Sequence, residues 1–442
     1  MQNSKLVKSA FAITGVTLAL SLAACSGGTP AAPSSSSSSM SPMASSSSPM
    51  AMPSTSASTA DAKLEPLPAP MSTGDPYADA MTAAEHMPMV GKTLADGIAK
   101  GNKIAGDPDS PAAGLRSDLN TNLQEHVYLA GMAVATAYTK GADSAEFKLA
   151  TAAVDKNAVA FSKMVGSIDP AMEAPVLKVW RDHIGYFVEY AVAAKKGDKA
   201  GMAKAQKELD GYTKTAGEAI AKLSKDNLKA SWVTEGLAHH VMSLSAAIDD
   251  LAAGKTDAYG ALHEAASHGG DFVSKMAVGL AKGAGLSGDA MDAASTLRTT
   301  LATTLQEHVY LASIAVWVAY TDKDGLDGAQ FKAAAGALDH NSVALSEAIG
   351  SLAGKEKEAS FLALWREHIG FFVDYAKADA TKDTAAAKKA LDGLDGYRLK
   401  SGEFFAEISN GELNANAIGN GLGMHISGLA GAIDSLAKAL VK

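Results

Sequence analysis

The segment VWRDHIGYFVEYA at Val179–Ala191 returns as LWREHIGFFVDYA at Leu364–Ala376. A chain that repeats so specific a segment folds as two copies of one unit, and further matches set the size of that unit. LQEHVYLA occurs at Leu123–Ala130 and again at Leu305–Ala312, and LDGY at Leu209–Tyr212 and at Leu394–Tyr397. Early in the unit the partners lie 182 residues apart: Asp75 and Tyr77 match Asp257 and Tyr259, and Leu115-Arg116 matches Leu297-Arg298. The spacing is 184 at Phe147/Phe331, Asp155/Asp339 and Asn157/Asn341, and 185 from the tryptophan-bearing segment onward. These small drifts place the added residues in loops.

Within each copy, apolar residues recur at three- and four-residue spacing, alanine is abundant, and β-branched alternation is nearly absent. Breaks at Gly, Pro and Asp divide the first copy into helices over 77–100, 112–139, 143–166, 171–196, 199–223 and 228–253. The expected fold class is all-α: two tandem, internally duplicated helical bundles, at residues 75–256 and 257–442.

The N-terminus has the layout of an export signal over residues 1–24. Lys5 and Lys8 supply the positive end, and Phe11 to Leu22 form an apolar stretch too short to span a bilayer. Leu22-Ala23-Ala24-Cys25 resembles the bacterial lipobox, which implies cleavage before Cys25 and lipidation of its thiol, and so an exported protein anchored to the cell envelope. Cys25 is the only cysteine, so no thiolate remains for catalysis or metal ligation. Residues 25–74 are rich in Ser, Pro and Met and read as a flexible tether. Met40, Met43, Met50 and Met52 add soft sulfur donors to it. The formal charge of −9, with Lys and Arg dispersed, provides no basic stripe for a phosphate backbone, so nucleic acid is not an expected partner.

Of the 11 histidines, four positions carry His in both copies: His86 and His268, His126 and His308, His183 and His368, His240 and His425. The apolar register Leu115, Leu119, His126, Ala133 turns His126 into the core. Val176, Trp180, His183, Phe187 does the same for His183, and Leu237, His240, Leu244, Leu251 for His240. His86, followed by Met89 or Val90 at the next turn, follows on the first helix with a less regular stripe. The other three, His239, His263 and His340, face Met424, Met81 and Lys156 in the opposite copy. A neutral imidazole in a core has one donor and one acceptor nitrogen to satisfy, and several at similar depth do so most simply around a cation. The residues leave three readings open: a metal site, a buried network of His, acids and Tyr, and bis-histidine haem ligation.

All-imidazole ligation without thiolate suits copper, zinc or nickel over calcium or magnesium, and nearby methionine favours copper, with zinc second. The acids next to these histidines (Glu85, Glu125, Asp182, Glu307, Glu367) sit about 100° away around the helix, too far round to chelate the same ion. Glu125 and Glu307 are therefore expected to orient a neighbouring histidine or to pair with Arg181 and Arg366. Asp155 and Asp339, with Asn157 and Asn341, are candidates for a core hydrogen-bonding pair or for outer support of the site. None of the paired histidines has Glu three residues before it, which separates the pattern from di-iron carboxylate bundles.

LQEHVYLA, the Trp-Arg-acid-His-Ile-Gly segment and AEHMPMVGKTLADGIA at Ala84–Ala99 together resemble a family of secreted bacterial helical-repeat proteins often labelled "copper amine oxidase domain-containing". The resemblance covers Asp75–Lys442 and implies a helical repeat with a link to copper. The second copy departs from the His-Met-x-Met pattern, reading SHGGDFVSKM at Ser267–Met276. The enzyme chemistry in the label does not carry over: true copper amine oxidases are β-rich and form a quinone from Tyr in an Asn-Tyr motif, and no Asn-Tyr dipeptide occurs here.

The sequence thus leads to a lipid-anchored envelope protein with one buried histidine cluster per repeat that binds a transition metal, copper first, for binding, buffering or delivery. A structural or interaction module that contacts an envelope protein or cell-wall partner is the alternative. A metal-dependent redox enzyme is the lesser one.

Overall fold

The computed structural model describes residues 62–267 and 269–441. The expected signal peptide, Cys25, the methionines of the expected tether (Met40, Met43, Met50 and Met52) and His268 lie outside them. The described residues are all-α, with no strand among them. The first copy forms α1 (Pro76–Gly101), α2 (Pro111–Lys140), α3 (Ala145–Ile168), α4 (Glu173–Lys196), α5 (Lys199–Leu223) and α6 (Ala230–Ala253). The second forms α7 (Ala258–Ser267), α8 (Gly270–Ala284), α9 (Ala293–Thr321), α10 (Ala329–Ala353), α11 (Lys355–Ala380), α12 (Thr384–Ile408) and α13 (Ala415–Leu440). Among the described residues no helix is long and apolar enough to cross a membrane.

The helix starts follow local capping chemistry. Asp75 accepts hydrogen bonds from the Tyr77 and Ala78 amides, Ser110 from Ala113, and Ser144 from Phe147. Proline opens α1 and α2, where its missing N–H costs no helical bond. The two copies differ at their first helix. α1 runs unbroken through Met87 and Pro88, whereas the corresponding helix of the second copy parts into α7 and α8 where Gly269 and Gly270 take their places. Paired glycines have the most conformational freedom to lose and no side chain to bury, so the break falls there.

The first helices are exchanged between the copies. α1 lies along α9 and α13 of the second copy, while α7 and α8 lie along α2 and α6 of the first, and α2 and α9 meet at the centre. The two loops that make the exchange clasp each other. The Asp107 amide donates to Asp292 Oδ2 (3.0 Å), the Ala294 amide to the Ala105 carbonyl (3.0 Å) and the Ala112 amide to the Ser287 carbonyl (3.1 Å). Arg116 Nη1 donates to the Ala290 carbonyl (2.7 Å), and its counterpart Arg298 Nη1 to the Pro108 carbonyl (2.6 Å). The described residues of both copies accordingly form one compact unit.

Residues 62–74, expected as the end of a flexible tether, are instead an extended strap against α12 and α13. Arg398 Nη2 donates to the Glu65 carbonyl (2.6 Å), Asn420 Nδ2 to the Lys63 carbonyl (2.9 Å), and the Met71 amide to the Ser427 carbonyl (3.0 Å). Pro66, Pro68 and Pro70 hold the strap extended. Gly431 lets it pass: a Cβ there would stand 1.9 Å from the Met71 carbonyl oxygen. The strap is ordered because α12 and α13 supply partners for its backbone and Leu67 packs against the main core.

Candidate metal centres

Three helices of each copy bring their histidines to one point. α2, α4 and α6 converge His126, His183 and His240; α9, α11 and α13 converge His308, His368 and His425. In each group one nitrogen per ring lies within 4.8 Å of the other two. His183 Nε2 and His126 Nε2 are 3.3 Å apart, and His368 Nε2 and His308 Nε2 are 3.2 Å apart. Two imidazole nitrogens bound to one tetrahedral ion, each about 2.0–2.1 Å from it, are separated by about 3.3 Å. The spacing already present is that of two ligands on a shared cation. No carboxylate oxygen belongs to either group, which excludes the hard oxygen-seeking cations.

Aromatic rings enclose the groups. Tyr212 stacks on His183 and Tyr397 on His368, each at 4.4 Å between ring centres. Trp180 stands 4.7 Å from His183 and 5.0 Å from His126, and Trp365 stands 4.4 Å from His368 and 4.8 Å from His308. Exposure is 2% or less for His126, His183, His308, His368 and His425, whereas His240 is only half-buried. Burial depresses all six pKa values. It brings His126 and His308 to about 3 and His240 to about 4, and holds His183, His368 and His425 well below the usual value, with neighbouring imidazoles adding to the shifts of His126 and of the last three. The rings are neutral at pH 7 and offer lone pairs rather than charge.

Few of these nitrogens are satisfied by the protein. Nδ1 of His126, His183, His308, His368 and His425 has no hydrogen-bond partner, nor has Nε2 of His425. The Trp180 and Trp365 carbonyls, one turn before His183 and His368, raise those two pKa values slightly without reaching hydrogen-bond geometry.

The proposed outer residues are elsewhere, which corrects the expectation that they serve the imidazoles. Glu125 and Glu307 knit the two copies together. Tyr310 Oη donates to Glu125 Oε2 (2.9 Å) beside Gln306 Nε2 (3.1 Å), and Tyr128 Oη donates to Glu307 Oε1 (2.7 Å) beside Gln124 Nε2 (3.3 Å). Asn157 and Asn341 donate to the second oxygens, at 3.0 and 2.8 Å. LQEHVYLA is thus a double device. His turns toward its own copy, while Gln, Glu and Tyr turn toward the other, because residues one apart project about 100° from each other. Arg181 pairs with Asp155 (2.6 and 2.8 Å), and Arg366 with Asp339 (2.7 Å for both bonds), each about half exposed at the surface. These four residues form two surface ion pairs, and none of them belongs to a triad.

The two carboxylates share Tyr, Gln and Asn donors, but Glu307 also accepts from Ser267 Oγ (3.0 Å), and the two differ in charge. Burial pushes Glu125 up to about 7, with the Glu85 charge adding to it. Burial acts on Glu307 too and is the largest single effect, but His263, 3.2 Å away on α7, together with the hydrogen bonds from Tyr128 and Asn341 overcomes it and lowers the pKa. The first copy has Met81 in the place of His263, hence the difference.

His86 joins neither triad. The helix exchange carries it to the second copy, where Nε2 lies 3.3 Å from the Gly421 carbonyl on α13. Met87 is fully buried and Met89 is 39% exposed, so Met89 is a surface residue. His340 and His239 are also outside the triads. Tyr212 and Tyr397 were not singled out from sequence, although the recurrence of LDGY carried the signal; the helix exchange left none. Comparison with family models, curated proteins and solved structures finds no match.

Proposed function

We propose that each repeat binds one transition-metal ion, copper first and zinc second, through His126, His183 and His240 and through His308, His368 and His425. The protein serves metal binding, buffering or delivery while anchored to the cell envelope through lipidated Cys25. The observation that carries this reading is His425. Its ring is 1% exposed, yet neither nitrogen has a hydrogen-bond partner, and each buried orphan costs about 1–3 kcal/mol. A cation between the three rings engages Nε2 of His308 and His368 together with one nitrogen of His425. Core packing leaves His425 without a role.

Titration of the full chain with Cu(II) or Zn(II) is expected to saturate at about two equivalents. His126→Ala with His183→Ala is expected to leave one, and the further pair His308→Ala and His368→Ala none. Binding should also raise the melting temperature of the loaded form alone. A second reading rests on the 3.2–3.3 Å Nε2 contacts, which also fit one imidazole donating to another in a purely structural core of an interaction module. Equal melting of metal-free and metal-treated protein, with equal losses on mutation, decides for that reading. The anchor is tested separately: Cys25→Ser is expected to release the protein from the membrane fraction.

A further inference from the structure

The triads match, but their surroundings differ. Beside the second triad, α1 passes unbroken, and the fully buried side chain of Met87 occupies the position after His86. Beside the first, Gly269 holds that position. A Cβ built on Gly269 meets nothing nearer than Val273 Cγ2 at 3.9 Å, and one on Gly270 nothing nearer than Asn120 Oδ1 at 3.8 Å. The missing side chains leave a cavity of about 820 Å³ that runs from His126 and His240 to the exposed Glu235, His239 and Asp271. Trp180, Tyr212 and Phe272 form apolar walls, and Asn120, Gln124 and Glu307 supply polar groups. At the second triad, a hollow of about 110 Å³ touches His308 alone of the three histidines and is otherwise lined mostly by aliphatic side chains such as Ala312, Leu429 and Ile433.

We propose, resting on the metal reading above, that the ion held by His126, His183 and His240 keeps a coordination position open to this cavity and takes an exogenous donor there. The ligand class is a small monodentate nitrogen or oxygen donor, ionic or carried on a compact organic body. The ion at His308, His368 and His425 is closed to it. Three protein ligands leave a tetrahedral ion one position short, and whether that position is usable depends on the space beside it. A cavity of this size accommodates small organic ligands as well as simple ions. The half-buried state of His240 against the 1% exposure of His425 marks the same difference at the ligands themselves.

Azide is the probe. The copper-loaded full chain is titrated with azide and followed by the azide-to-Cu(II) charge-transfer band and by electron paramagnetic resonance. The expected result is one azide per two coppers. Protein carrying His308→Ala and His368→Ala should keep the whole response, and protein carrying His126→Ala and His183→Ala should lose it while holding one copper. Gly269→Met supplies beside the first triad the side chain that Met87 of the first copy places beside the second, at a backbone φ of −73° that any residue adopts. It is expected to keep two coppers and weaken azide at least tenfold; where it does not fold, Gly270→Met takes its place. Azide on both coppers, on neither, or on the second site alone overturns the proposal, as does undiminished azide binding in the glycine variant that folds. A chain that takes up no copper fails earlier, at the titration, and that result counts against the metal reading itself.

Discussion

Acidification in the presence of a chelator is expected to unfold the metal-free protein between about pH 6 and pH 4.5, earlier than acid denatures a helical protein of ordinary composition. The five fully buried imidazoles set this. In the unfolded chain each titrates near 6.5, while in the fold burial holds His126 and His308 at about 3 and His183, His368 and His425 well below the usual value. Below pH 6.5 the unfolded chain takes up protons that the folded one refuses. The stability these groups confer is therefore whole above 6.5 and drains as pH falls. Each costs about 1.4 kcal/mol per pH unit, so five cost about 7 kcal/mol per unit, against a total stability of about 5–15 kcal/mol. His240, part exposed to the cavity, contributes less. Glu125 works the other way: with its pKa held up to about 7 by burial, its contribution is whole below 4.5 and is lost as pH rises toward 7. One carboxyl does not reverse five imidazoles. A bound ion competes with the protons, so the loaded protein should unfold at lower pH. Helical circular dichroism against pH, with and without metal, reads both curves. A metal-free protein still folded at pH 4.5 contradicts the buried, neutral state of the triads.

Residues 75–256 expressed alone are expected to fail as a folded monomer. α1 buries Met81, Met87, Leu94 and Ile98 to 1% exposure or less, largely against α9 and α13, which belong to the other copy. Full burial of four such side chains represents roughly 6–12 kcal/mol, comparable to the stability of a whole domain. The isolated repeat also loses the clasp between the two crossing loops and the Tyr310 and Gln306 donors of Glu125. Two such fragments can exchange their first helices with each other, so the folded product should be a dimer, and the remainder should precipitate. Size-exclusion chromatography with light scattering distinguishes these outcomes. A soluble, cooperatively melting monomer of 75–256 contradicts an obligatory exchange.

Much of the structure was legible because it depends on periodicity. The apolar register placed His126, His183 and His240 on inward faces, duplication marked His308, His368 and His425 as their equals, and Gly, Pro and Asp breaks set helix ends to within two residues in the first copy. A helix has one period, and a side chain that shares the phase of Leu and Trp shares their burial. The partners of Glu125 and Glu307 were not legible in the same way. Phase shows that a carboxylate leaves the histidine face, but not that Tyr310 or Tyr128 from the other copy waits for it.

An all-α duplicated chain with buried histidines at repeated positions follows from local spacing and residue type alone. Where α1 belongs, which histidines meet, and which triad opens onto a cavity emerge from long-range packing instead. The reason is that a periodic pattern states that a face is buried without naming the surface that buries it. Two copies of one unit offer α1 two nearly equivalent grooves, and the choice between them rests on contacts far apart in the chain: Arg116 on Ala290, Arg298 on Pro108, Asp107 on Asp292. That choice takes His86 away from the first triad, sets Met87 beside the second, and leaves Gly269 beside the first with the open space.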